Sequence, residues 1–130
     1  MIEKIGQVML YVSDQTRAVA FWTEKMGFSV ISDQNDGQGM RWIELAPSKD
    51  IETSIVLHDK ELIAKMEPKL NLGTPSLMFY SLDIESLHED LKAKQVTVGE
   101  IVHMPTGKVF NFSDYEDNYF AVMESDKKVI

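Results

Sequence analysis

The sequence predicts an α+β protein made of two copies of one β-α-β-β-β module. Three observations predict it. Strand-like and helix-like runs follow each other in the same order twice. A shift of 69 residues carries one helix-capping aspartate, Asp14, onto the other, Asp83. The same shift lays Met9 on Met78, Tyr11 on Tyr80 and Lys25 on Lys94. Agreement of hydrophobic register, cap and length is the signature of an internal repeat. The 130 residues read as a single domain, with module 1 over about 1–59, a linking helix and connection over about 60–75, and module 2 over about 76–130.

Each element has its own warrant. Ile5–Ser13 (IGQVMLYVS) is a β-rich, largely apolar run, as a strand covered on both faces would be. Asp14 then supplies a side-chain oxygen for the free N–H groups of a helix start. Ala18, Phe21, Trp22 and Met26 follow at helical spacing, and Gly27 suits the position after the helix, so the helix runs from about Asp14 to Met26. Phe28–Ser32, Met40–Ala46 and Thr53–His58 are strands, the first two separated by the polar turn QNDGQG. Lys60–Met66 is a short helix ended by Pro68. The pattern then restarts with a strand over Ser76–Ser81 and a helix capped by Asp83, whose buried stripe is Ile84, Leu87 and Leu91. Val96–Val102, Lys108–Ser113 and Tyr119–Glu124 complete it as strands.

Composition removes several functions. Hydrophobic residues make up 44% and charged residues 26%, the balance of a globular chain rather than a disordered one. The formal charge is −8 with no Lys/Arg cluster, so neither nucleic acid nor an anionic membrane surface is an expected partner. The absence of cysteine excludes disulfides, thiolate metal sites and cysteine nucleophiles. The N-terminal apolar run is too short for a signal peptide and no stretch has the length of a membrane span, which makes the cytoplasm the expected location.

The segment QVMLYVSDQTRAVAFWTEKMGF resembles the opening of vicinal oxygen chelate proteins, the glyoxalase, bleomycin-resistance and extradiol dioxygenase type. The matching residues are Asp14, Phe21, Trp22, Met26, Gly27 and Phe28. RWIELA is similar to the family's third strand, and FSDYEDNYFAVME to its closing turn and last strand, although Asp114–Asn118 carries neither the Pro nor the Gly usual there. Asn118 tolerates the left-handed backbone such turns need. The resemblance implies modules whose strands curl around a cleft, and homodimerisation.

Alternation sorts each strand into a helix-facing set and a cleft-facing set. The more apolar sets are Val8, Leu10 and Val12; Ile43 and Leu45; Ile55 and Leu57; Leu77 and Phe79; Phe120 and Val122. That leaves Gln7, Met9, Tyr11, Trp42, Glu44, Ser54, Val56, His58, Ser76, Met78, Tyr80, Tyr119, Ala121 and Met123 for the cleft. An apolar lining with a few convergent polar groups is the usual form of a small-molecule site. Ligand-binding candidates are Gln7, Trp42, Glu44, His58 and Ser76.

In metal-dependent relatives four ligands come from the first and last strands of the two modules, and the resemblance maps them to Gln7, Val56, Ser76 and Ala121. A carboxamide oxygen can ligate, a hydroxyl does so poorly, and Val56 and Ala121 offer no donor. No cofactor or tightly held metal is therefore expected. His58 shares a face with Val56, His88 lies one step off the buried helical stripe and reads as solvated, and His103 follows the sixth strand. Asp114, Glu116 and Asp117 lack the spacing and glycine of a calcium loop and read as a solvated turn. No phosphate-binding glycine loop and no nucleophile elbow is present.

The first reading is a metal-free binding protein for a small organic molecule, with Glu44 as charged anchor suited to a cationic or hydrogen-bond-donating ligand. The alternative is a glyoxalase-type lyase or isomerase with Glu44 or His58 as general base, or with a weakly held divalent metal. A third is a dimeric interaction domain whose cleft is filled by its own side chains.

Overall fold

The computed structural model describes residues 1–125 and divides into two compact units, Met1–Pro75 and the chain from Ser76 onward. Each unit has its own mixed sheet, and the α+β class with a repeated module is the observed fold.

The first unit contains β1 (Gln7–Val12), α1 (Gln15–Ala20), β2 (Ser29–Asn35), β3 (Arg41–Ala46), β4 (Ser54–Asp59) and α2 (Lys60–Met66). Its sheet has the order β1-β4-β3-β2, with β1 and β4 parallel and the other pairs antiparallel. A parallel neighbour needs a long crossover, and here that crossover carries α1 and the β2–β3 hairpin. Leu10, Val12, Ile43, Leu45 and Leu57 are buried together with Ala18, Phe21 and Trp22 of the helical segment. Each large apolar side chain so removed from water stabilises the fold by about 1.5–3 kcal/mol. Asp14 caps α1 by accepting from the Arg17 N–H at 3.0 Å. One residue further on, the Gln15 amide donates to the carbonyls of Arg41 (2.6 Å) and Leu57 (3.1 Å), tying the helix start to β3 and β4.

The predicted helix over Asp14–Met26 is α-helical only to Ala20, and then widens into a π-helical turn over Phe21–Lys25. The wider turn lets consecutive Phe21 and Trp22 both reach the interior, where their rings meet edge-on at 5.4 Å and Trp22 also meets Phe28 at 5.1 Å. Gly27, with φ +78°, then turns the chain into β2.

The second unit contains β5 (Met78–Ser81), α3 (Ile84–Ala93), β6 (Thr97–Val98), β7 (Val102–Met104), β8 (Gly107–Ser113) and β9 (Tyr119–Glu124). Its order is β5-β9-β8-β6, with β7 also paired to β8, and β5 runs parallel to β9 as β1 does to β4. Asp83 caps α3 through the Ser86 N–H at 3.1 Å. Phe112 and Phe120 are buried and form a ring cluster with Phe79 at centroid distances of 5.5–6.3 Å.

Five expectations for this unit are corrected. The strand expected over Val96–Val102 is broken into β6 and β7, although the Gly99 N–H still reaches the Asn111 carbonyl of β8 at 2.8 Å. Ser76 lies before β5 rather than on a strand, and is exposed. His88 is half-buried, its Nε2 2.8 Å from the Gly99 carbonyl oxygen and its ring 4.9 Å from that of Phe110, because the helix packs beside the bend that breaks the strand. In the Asp114 turn Asp117 is exposed, but Asp114 itself is not solvated. Asp114 is 7% exposed and its carboxylate accepts from the Glu116 and Asn118 N–H groups (both 2.9 Å) and the Asn118 amide (3.1 Å). The left-handed position is Asp117 (φ +63°) rather than Asn118. Among the described residues no helix is long and apolar enough to cross a membrane.

Candidate functional site

The candidate site occupies the face of the first sheet opposite its buried leucines and isoleucine. Strand register sets its side chains in rows. One row is Met9, Val56, Glu44 and Ser32, across β1, β4, β3 and β2. The next is Tyr11, His58, Trp42 and Gln34. Gln7 and Ser54 are paired on the other side of the Met9 row. Because alternation holds on β1, β3 and β4, Gln7, Trp42, Glu44 and His58 share this face as expected from the sequence. Ser76 lies in the second unit.

Glu44 is the polar centre. Its carboxylate accepts from the Ser54 hydroxyl at 2.5 Å, and more weakly from the Gln7 amide and the Ser32 hydroxyl, both at 3.4 Å. Ser54 is buried at 6% exposure, so Glu44 supplies the partner its hydroxyl needs. Ser32 was not among the sequence candidates. A register shift between Val30 and Ser32 breaks the alternation that would have placed it.

His58 is the aromatic centre. Its ring stacks on Tyr11 at 5.8 Å and 26°, and its Nε2 lies 3.3 Å from the Met9 sulfur. A thioether only accepts, so a hydrogen bond there assigns the proton to Nε2 and leaves Nδ1 with its lone pair. Among the described residues that buried Nδ1 has no partner. Burial holds the imidazole pKa below its ordinary value, which favours the neutral ring. Met9 and Tyr11, like Ser32, matter more here than the candidate list from sequence allowed. Both stood on the cleft-facing set, and what singles them out is the β1–β4 register.

The metal mapping does not fit the residues present. Val56 is 2% exposed and has no donor, Ala121 has none, Ser76 is a neutral hydroxyl, and the Gln7 amide is turned toward Glu44. Among the described residues no group of three or more His, Cys, Asp or Glu side chains is placed to share an ion. A stable divalent site needs three or four imidazole, carboxylate or thiolate donors. A separate hollow of about 280 Å³, lined by Ser13, Lys60, Glu61, Ala64 and Leu72, contains none of the candidate residues.

Comparison with known proteins places the fold in a family. The family model described as Glyoxalase/Bleomycin resistance protein/Dioxygenase superfamily matches residues 4–122. The uncharacterized protein YetH of Bacillus subtilis (strain 168) is 36% identical over 125 residues, which is 95% of this chain and 100% of that protein. The crystal structure of TnmS3, an antibiotic binding protein from Streptomyces sp. CB03234, superposes with a TM-score of 0.80 at 28% identity over 96% of this chain and 98% of its own. A glyoxalase/bleomycin resistance protein from the same Streptomyces strain superposes with a TM-score of 0.73 at 29% identity, over 92% and 99% of the two chains.

Proposed function

The chain belongs to the Glyoxalase/Bleomycin resistance protein/Dioxygenase superfamily, and from that premise we propose that it binds a small organic molecule on the Glu44–His58 face of its first sheet, without a tightly held metal. The observation that carries this is the aromatic row of Tyr11, His58 and Trp42 beside Met9, with Glu44 in the neighbouring row. Flat aromatic and thioether surfaces bind planar apolar bodies, and a few placed polar groups orient them. The likeness to TnmS3 supports the same reading, since that protein is an antibiotic binder.

A thermal-shift screen of purified protein against antibiotics and aromatic compounds tests it. A compound at a hundred times its Kd stabilises the fold by roughly 2.7 kcal/mol, a rise of several degrees in Tm. Such a shift is expected for wild type and is expected to vanish in Trp42→Ala and Met9→Ala. A screen without any shift, or shifts untouched by both substitutions, would overturn the proposal. A companion screen of EDTA-treated protein with Zn²⁺, Ni²⁺, Co²⁺, Mn²⁺ and Mg²⁺ addresses the metal, and a saturable shift lost in Gln7→Ala or His58→Ala would remove the metal-free part.

One observation favours a second reading, a glyoxalase-type lyase or isomerase. The neutral His58 ring with an unpartnered Nδ1 has the form of a general base. Glu44 is the weaker candidate of the pair, because donors from Gln7, Ser32 and Ser54 already occupy the lone pairs a base would use. Turnover of hemithioacetals by wild type and its loss in His58→Gln would establish this reading over simple binding. Cytoplasmic location and a homodimer complete the proposal.

A further inference from the structure

Glu44 brings a carboxylate onto a half-buried face next to the Tyr11–His58–Trp42 row, and among the described residues its hydrogen-bond donors there are neutral. Hydroxyls and an amide occupy its lone pairs without compensating its charge. Arg41, three positions earlier, is committed elsewhere: its guanidinium grips Asp33 through Nε (2.9 Å) and a terminal nitrogen (2.7 Å). Among the described residues no ion pair reaches Glu44. On the same face Trp42 stands two residues along β3, level with His58 and its Tyr11 stack. An uncompensated carboxylate beside aromatic faces is the environment that attracts a desolvated organic cation, through charge and through the ring quadrupoles. The chain's net charge of −8 adds a favourable long-range field for such a ligand.

We propose that the site selects organic cations. The ligand is a planar aromatic body carrying a protonated amine or amidine-like group, its body against Trp42 and the Tyr11–His58 stack, its positive group on Glu44. This rests on the reading that the Glu44–His58 face of the first sheet binds small molecules, and it specifies their chemistry. The Ser54 hydroxyl is a positioning group here, holding the carboxylate rather than touching the ligand.

Three probes with one ring system separate charge from shape: 9-aminoacridine as the cation, acridine as the neutral form and acridine-9-carboxylate as the anion. Each is titrated into the full-length protein at pH 7.5 and low salt, followed by probe fluorescence. The cation is expected to bind at least about tenfold more tightly than acridine, and the anion most weakly. Raising the salt should weaken the cation and leave acridine unchanged. Glu44→Gln keeps size and one acceptor oxygen while removing charge, and should bring cation and neutral probe to similar affinity. Equal binding of cation and neutral probe by wild type, or a preference that survives in Glu44→Gln, would overturn the cation inference and leave the binding reading intact. If Glu44→Gln does not fold, the wild-type ranking and its salt dependence decide alone. Failure of all three probes overturns the inference for planar cations, while the wider compound screen separately decides whether the face binds anything.

Discussion

His58 concentrates the residue-scale physics, because its environment opposes charge in two ways. Burial lowers its pKa from the ordinary 6.5, and its nearest side-chain partner is a sulfur that cannot accept strongly from an imidazolium. With a folded-state pKa below the unfolded one, the unfolded chain binds the extra proton first as acid is added. Stability linked to this residue is therefore present above about pH 6.5 and is lost as pH falls below it. The Tm of wild type should decline between neutral pH and about pH 5.5, before most carboxylates titrate, and His58→Gln should flatten that slope. An unchanged slope in the variant would show that the ring is not held neutral by its surroundings. Asp33 and Arg41 make the opposite case. Their forked pair lowers the Asp33 pKa, chiefly through the Arg41 hydrogen bond, yet both side chains are about two-fifths exposed. Exposed pairs contribute at most about 1 kcal/mol, so urea melts of Asp33→Asn should lie within that range of wild type and become indistinguishable at high salt.

At the scale of elements, caps and packing do different work. Asp83 satisfies α3 twice over, accepting from the Ser86 N–H (3.1 Å) and the Ser86 hydroxyl (2.9 Å), and Asp59 does the same service for α2 through the Glu61 and Leu62 N–H groups. Asp83→Ala should cost about 1 kcal/mol by chemical denaturation, while Asp83→Asn or Asp83→Ser should retain most of it. Trp22 belongs to another class, 1% exposed and in ring contact with Phe21 and Phe28. Trp22→Ala should cost about 3–5 kcal/mol, enough to threaten folding, and Trp22→Phe considerably less. These two residues also mark what sequence conveys about elements. An aspartate cap followed by apolar spacing is a local signal, and it located α1 and α3. β-rich apolar runs located β3, β4 and β9 to within a residue and β1 to within two, and alternation sorted their faces. The π-helical turn has no such signal, because nothing in FWTEK distinguishes a wider turn from an ordinary one until two adjacent rings must both be buried. The break between β6 and β7 did leave a trace, since Glu100 falls on the apolar phase of Val96, Val98 and Val102 just after Gly99, but only pairing with β8 shows where the strand bends.

For the whole molecule, the repeat was legible because both modules obey one rule, a first strand lying parallel to a last strand after a helical crossover. The site was legible in part. Gln7, Trp42, Glu44 and His58 follow from alternation alone, whereas Ser32 depends on a bulge and the Met9–His58 contact on register between β1 and β4. The modules diverge in what the corresponding sheet faces carry. Where the first has Glu44 and His58 among its aromatics, the second presents Met78 (46% exposed), Tyr80 (68%) and Tyr119 (61%) on β5 and β9. Large apolar side chains clustered on one sheet face are uncommon on a monomer's surface and mark sites of association. The proposed homodimer supplies a use for them. Sedimentation velocity should give a mass of roughly twice 14.8 kDa. A glutamate at Met78 or Tyr80 would place a charge where association removes water, so Met78→Glu and Tyr80→Glu should shift the protein toward monomer without unfolding it. Side chains this exposed contribute little to the fold of a single chain, so circular dichroism should be unchanged in both variants. A monomer at all concentrations for wild type would refute the dimer, and a dimer indifferent to both glutamates would move its interface off this face.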